Sequence, residues 1–146
     1  MARVVDLTAS DTHDLRRRVL RTGTPSVELV WDGDDDPRTF HLGVDDHGRT
    51  VAVSTWLERR YPDRPAEPGR QLRGMATDPE WRGTGVSADL LAEGLRRCSE
   101  RGAVLVWARA RCTAIGFYER HGFSPVGPVY TDLTTGLDHR DILLAL

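Results

Sequence analysis

The chain has no lysine and no asparagine; all 20 of its Lys-plus-Arg residues are arginine. That bias is most simply the mark of a GC-rich genome, so any one arginine says less about function than usual. Cysteine is scarce, with two in 146 residues, which excludes a disulfide-built scaffold and fits a reducing compartment. No apolar run approaches the roughly 18 residues of a membrane span, and no leader with a charged start and apolar middle is visible. A soluble, cytoplasmic protein with no membrane partner is expected. The net charge of -2 leaves no basic footprint, so nucleic acid is not expected as a partner. Five His and two Cys show no zinc spacing, and no metal is expected. Cys98 falls on an apolar helical stripe. Cys112 lies near a helix start, where a thiolate is favoured, but no readable motif sets a His beside it as a nucleophile needs.

What the chain does have is an ordered run of elements without linker or repeat, so residues 1–146 read as a single domain. Arg3 to Leu7 reads as a strand. Ser10-Asp11 is expected to cap a helix with Leu15, Val19 and Leu20 inside and Arg16, Arg17 and Arg18 on its solvated side. Residues 24–38 read as irregular, their acidic residues Asp32, Asp34, Asp35 and Asp36 as an exposed charged loop. Alternation in Phe40 to Val44 and Val51 to Leu57 across Asp45-Asp46-His47-Gly48 predicts a hairpin. The strand Gln71 to Thr77, with a bulge or close backbone approach at Gly74, is placed at the centre of the sheet. Val86, Leu90, Leu91, Leu95 and Cys98 predict an amphipathic helix ending at Gly102. A buried strand follows at Val104 to Ala108, then a short helix from Thr113 to His121, then strands near Phe123 to Tyr130 and His139 to Ala145. The fold class is α/β: a mixed central sheet of about six or seven strands flanked by helices.

The most informative stretch is Leu72 to Leu91, which runs a strand into a glycine-rich turn and then a helix. Gly83 and Gly85 let a backbone approach an anion without a Cβ in the way, the free N–H groups of the helix start point at it, and Arg82 adds a positive charge. Arg82-Gly83-Thr84-Gly85-Val86-Ser87 resembles the Arg-x-x-Gly-x-Gly/Ala pyrophosphate loop of the GNAT superfamily of N-acetyltransferases, and Met75-Ala76-Thr77-Asp78-Pro79 resembles the strand leading into it. Ser87 departs from the family's Gly or Ala. Ala114 to Phe123 is similar to the family's downstream segment, whose tyrosine sits near the CoA sulfur. Two motifs in the expected order are far more specific than either alone. A rival dinucleotide fingerprint, Gly83-Thr84-Gly85-Val86-Ser87-Ala88, with Arg109 and Arg111 to receive a ribose phosphate, is disfavoured because Asp78 to Arg82 separate the strand from the glycines.

The resemblance implies acetyl-CoA as cosubstrate, bound by Met75, Ala76, Thr77, Arg82, Gly83, Thr84, Gly85, Val86 and Ser87. It implies Tyr118 as the acid for the departing thiolate, and a small-molecule or peptide amine as acceptor; a homodimer is compatible with this reading. An inactive acyl-CoA sensor is the alternative. No carboxylate lies on Leu72 to Thr77 where many relatives have a Glu. Glu28, His41, Glu58, His121 and the Asp34 to Asp36 run are base candidates only by type, each more readily explained as surface or packing, and a water relay serves equally. Arg109, Ala110 and Arg111 stand where relatives often have Asn, so an arginine there is expected to meet a CoA phosphate, an acidic substrate group or only solvent.

Overall fold

The computed structural model describes residues 2–146. Its seven strands are β1 (Ala2–Leu7), β2 (Phe40–Asp46), β3 (Arg49–Glu58), β4 (Gly69–Thr77), β5 (Leu105–Arg111), β6 (Ser124–Thr131) and β7 (Asp138–Ala145). They form one sheet in the order β1-β2-β3-β4-β5-β7-β6. Every neighbouring pair is antiparallel except β4 and β5. The strand carrying Gly74 is therefore central, as its sequence predicts. His47 and Gly48 both take positive φ (49° and 85°), and a turn of that kind matches the twist of the β2–β3 hairpin.

The helices are α1 (His13–Leu15), entered by a 3-10 turn at Ser10–Thr12 and left by a π turn at Arg16–Leu20, then α2 (Val86–Glu100) and α3 (Ile115–Arg120). The first helical segment begins at Ser10 itself, so its cap lies just ahead of the expected Ser10-Asp11. Its cap is reciprocal: the Asp11 N–H donates to Thr8 Oγ1 (3.3 Å) and the Thr8 N–H to Asp11 Oδ2 (2.9 Å), satisfying two free donors at once. The π turn closes with the Arg21 N–H on the Arg16 carbonyl at 3.1 Å.

That turn corrects the reading of the arginine run. Arg17 and Arg18 are exposed, but Arg16 is wholly buried. Its guanidinium grips Asp34 with both terminal nitrogens (2.6 and 3.1 Å) and donates to Leu29 O (2.8 Å) and Thr55 Oγ1 (2.8 Å). The acidic loop is corrected with it: Asp32 and Asp35 are exposed, whereas Asp34 is buried. Burial pushes the Asp34 carboxyl up, yet hydrogen bonds from Arg16 and the Trp31 N–H, with the Arg16 and Arg73 charges, outweigh it and hold the group below its ordinary value. Residues 24–38 have no helix or strand and are held by this ion pair instead.

The main core joins α2, through Val86, Leu90, Leu91 and Cys98, to Leu42, Val44, Trp56 and Leu72 of the sheet, with Tyr118 and Phe123 at its α3 end. Leu15 packs with Val53 and Ala76 in a separate cluster. Ala52 and Trp56 belong to the first and Val53 to the second, so alternation puts the two on opposite faces of the sheet. Gly94 sets how closely α2 can lie: a Cβ there would come within 1.9 Å of Trp56 Cζ2. Gly94→Ala is expected to cost about 1–3 kcal/mol by overpacking against a ring that cannot bend away. Chemical denaturation measures it, and an unchanged midpoint would mean that Trp56 repacks freely.

Candidate functional site

Beta pairing opens the site. β4 and β5 pair only at Gly69↔Leu105, Arg70↔Val106 and Gln71↔Trp107. Beyond Gln71, β4 stays with β3 and, beyond Trp107, β5 stays with β7. The parallel strands thus part halfway, and the edge of Leu72–Thr77 that faces β5 has no strand partner. The β3–β4 register slips between Val53 and Thr55, where Gly74 and Met75 together oppose Ser54. Gly74 has φ +63°, which makes this the expected bulge. A Cβ on Gly74 would also lie 2.7 Å from the Trp31 ring, so loop 24–38 seats its tryptophan directly on the bulge.

Two cavities meet at the wedge. One, of about 640 Å³, is lined by Met75, Ala76, Thr77, Arg82, Gly83, Gly85 and Ser87 from β4 and the glycine loop, and by Phe117, Arg120 and His121 from the α3 side. The other, of about 500 Å³, is lined by Arg21, Glu28 and Trp31, by Leu72 to Met75, by Ala108 to Arg111, and by Asp132, Thr135 and His139. Met75, Ala114 and Tyr118 line both and form the wall between them.

The glycine loop is built as an anion cradle. Gly83 and Gly85 have φ +77° and +90°, a region that side-chain-bearing residues rarely adopt. The first α2 residue whose N–H finds an acceptor across the cap is Asp89, on Gly85 O (3.1 Å). The N–H groups of Val86, Ser87 and Ala88 precede the helical ladder and remain available to a ligand. Ser87, the departure from the family pattern, has a structural use: its Oγ lies 2.7 Å from Thr77 Oγ1, tying the helix start to the end of β4. Asp78 fixes the turn between them, accepting from the Glu80 N–H (3.1 Å) and from Arg49 (2.9 Å). The Glu80 N–H in first place and the Arg18 and Arg49 charges hold its carboxyl below the ordinary range. Of the residues named from the sequence, Thr84 and Val86 turn their side chains elsewhere. Thr84 Oγ1 donates to Trp81 O (2.5 Å) and Val86 is in the core, and neither lines the cavity.

Tyr118 is buried, 8 % exposed, between the edges of Phe117 and Phe123 (ring centroids 5.3 and 5.5 Å). Its hydroxyl donates to Met75 Sδ at 3.7 Å, the weakest kind of acceptor, and burial pushes its pKa up to about 12. α3 ends as its sequence suggests: Gly122 has φ +93°, its N–H reaches Glu119 O and the Phe123 N–H reaches Tyr118 O, which pins the tyrosine's turn.

The base candidates separate cleanly. His41 is buried with Nδ1 2.8 Å from Thr55 Oγ1 and Nε2 donating to Asp34 O (3.0 Å), so both ring nitrogens are spent on the Arg16–Asp34 network. Asp34 is held by that network, and Asp36 pairs with exposed Arg38. Glu58 lines neither cavity, His121 lines the glycine-loop side, and Glu28 the other. Arg109 and Arg111 belong to β5 itself, which runs past Ala108, and they line the cavity away from the glycine loop. Neither lines the glycine-loop cavity. Sequence reasoning missed the walls contributed by Arg21, Trp31, Asp132 and His139. No local pattern joins them.

Comparison with known proteins follows the same lines. The family model described as Acetyltransferase (GNAT) domain matches residues 37–125. A Bacillus subtilis (strain 168) protein described as uncharacterized N-acetyltransferase YitI is 27% identical over 127 residues, 87% of this chain and 85% of that protein. A mycothiol acetyltransferase of Corynebacterium aurimucosum is 35% identical over 106 residues, 67% of this chain but 33% of that longer enzyme. Among solved structures, Escherichia coli ElaA matches with a TM-score of 0.80 at 21% identity over 99% of each chain. An acyl-CoA N-acyltransferase from Pseudomonas aeruginosa matches with 0.79 at 20%, over 99% of this chain and 100% of its own. At these identities the structures speak to the fold.

Proposed function

Because this chain belongs to the GNAT family of acetyltransferases, we propose that it moves the acetyl group of acetyl-CoA directly onto a primary amine, with Tyr118 as the acid. The observation that carries the reading is the shared wall: Tyr118 and Met75 stand between the glycine-loop cavity and a second cavity open to an acceptor. Arg82 and the α2 N-terminus are suited to the pyrophosphate. The unpaired edge of Leu72–Thr77 suits a pantetheine arm, which would hydrogen-bond to it as an added strand does. The bulge at Gly74 frees main-chain donors near Met75 for the thioester oxygen.

The amine nitrogen attacks the thioester carbonyl, an N–C bond forms, the C–S bond breaks, and the amine's proton leaves through water in the open cavity. Tyr118 delivers its hydroxyl proton to the sulfur and recovers one from solvent. Burial pushes the Tyr118 phenol up to about 12, so it keeps its proton at neutral pH and has one to give to the departing sulfur.

Calorimetry with acetyl-CoA, NAD and NADP tests the assignment, together with CoA release across an amine panel. Binding of acetyl-CoA alone is expected, and nicotinamide binding without a response to CoA would overturn it. Gly85→Asp is expected to weaken acetyl-CoA by about 2 kcal/mol, roughly 30-fold in Kd, by straining a left-handed position and setting a carboxylate in the cradle. Unchanged affinity in the folded variant would move the cosubstrate elsewhere.

A further inference from the structure

We infer that the acceptor is a small primary amine that also carries an anionic group, held by Arg21, Arg109 and Arg111 in the cavity on the far side of Tyr118 from the glycine loop. This rests on the acetyl-transfer reading above and names the class of amine it serves. Five arginines line that cavity, Arg21, Arg59, Arg73, Arg109 and Arg111, against two carboxylates, Glu28 and Asp132.

The five are not equivalent. Arg73 is committed to Asp34 (3.2 Å) and the Asp32 carbonyl, and Arg59 to Gln71 (3.0 Å) and Asp32 (3.4 Å). The other three have no carboxylate in ion-pair range among the described residues. Arg21 donates only to the Glu28 carbonyl (3.0 Å) and lies 4.9 Å from the Trp31 ring centroid. Arg111 donates only to the Leu20 carbonyl (2.6 Å). The Arg109 side chain makes no hydrogen bond among the described residues and stacks loosely over Trp107 at 5.6 Å. Asp132, the nearest thing to a counter-ion, already accepts the N–H groups of Thr134 (2.7 Å) and Thr135 (3.2 Å).

Arg109 is exposed, whereas Arg21 and Arg111 are half-buried, and half-buried guanidiniums without an ion-paired carboxylate are costly unless a ligand brings one. Burial in first place lowers the pKa of both Arg111 and Arg21, outweighing the Asp132 charge that acts the other way on each. A carboxylate or phosphate on the acceptor would relieve both. It would take charge-assisted hydrogen bonds from a planar fork suited to such groups, and would orient its amine toward Tyr118. The cavity's volume of about 500 Å³ is that of a small-molecule site.

The test is a matched set of amines with acetyl-CoA: 4-aminobutyrate against its amide, and phosphoethanolamine against ethanolamine, read as CoA release. At least one anionic member should exceed its neutral partner in kcat/KM by roughly 10- to 100-fold, the worth of one or two hydrogen bonds to a charged group, and which pair shows it separates carboxylate from phosphate. Arg109→Gln, which removes no hydrogen bond from the fold, and Arg111→Gln should each shrink that ratio. Turnover in which neutral amines equal or exceed their anionic partners overturns the inference while leaving acetyl transfer standing. If no amine turns over, calorimetry on the acetyl-CoA-loaded protein decides: equal affinity for 4-aminobutyrate and its amide, and for phosphoethanolamine and ethanolamine, overturns it too. Failure to bind acetyl-CoA at all is the distinct signature of a wrong cosubstrate.

Discussion

Tyr118→Phe is expected to leave the fold and acetyl-CoA affinity intact and to lower kcat by roughly 10- to 10⁴-fold, the range for losing a positioned acid. Phenylalanine keeps the apolar surface that Phe117 and Phe123 pack against. The hydroxyl's protein partner is the Met75 thioether at 3.7 Å, so its removal strands no buried donor or strong acceptor. Stability should therefore barely change, which separates chemistry from packing. Single-turnover kinetics is the proper readout, since slow product release would mask the step. Wild-type kcat in the Phe variant would remove Tyr118 from proton transfer and leave water as the donor.

Asp34→Ala should destabilise the protein by about 3–5 kcal/mol, because it leaves the Arg16 charge buried and unpaired. The Arg16 side chain is 0% exposed and that of Asp34 1%, so water cannot take over. Loss is expected to exceed that of Asp34→Asn, which keeps acceptor capacity but drops the charge. Urea denaturation, read as a midpoint shift at constant slope, measures both; a loss under about 1 kcal/mol would mean that the site collapses around the arginine. The Asp34 pKa is lower in the folded protein than in the unfolded chain. Its contribution is thus complete above the unfolded value of about 3.9 and is lost as pH falls below it through the folded value. A second readout is the cavity on the far side of Tyr118 from the glycine loop, whose Glu28, Val30 and Trp31 wall hangs on the same loop.

The glycine loop, the bulge at Gly74 and the α3 cap at Gly122 were legible because each is a local conformational demand, written within a few residues. The central place of β4 was read from its position after the hairpin and before the long helix. Arg16 was not legible: in a run of three arginines nothing local marks the one that a π turn directs inward, and its partner lies 18 residues away in a loop whose other acids face water. The cavity beyond Tyr118 was hidden for a similar reason. Arg21, Gly74, Arg111 and His139 come from four segments that meet only once the strand order is known. Arg109 and Arg111 were visible as a departure from the family pattern, but the length of β5 decided which side they serve.

Since Met75, Ala114 and Tyr118 belong to both cavities, whatever fills one cavity rests on a surface that the other also touches. A cosubstrate that changes the set of that partition changes the acceptor's affinity by some factor, and thermodynamic linkage requires the acceptor to change the cosubstrate's affinity by the same factor. Trimming the thioether with Met75→Ala would then alter the cooperativity between the two ligands.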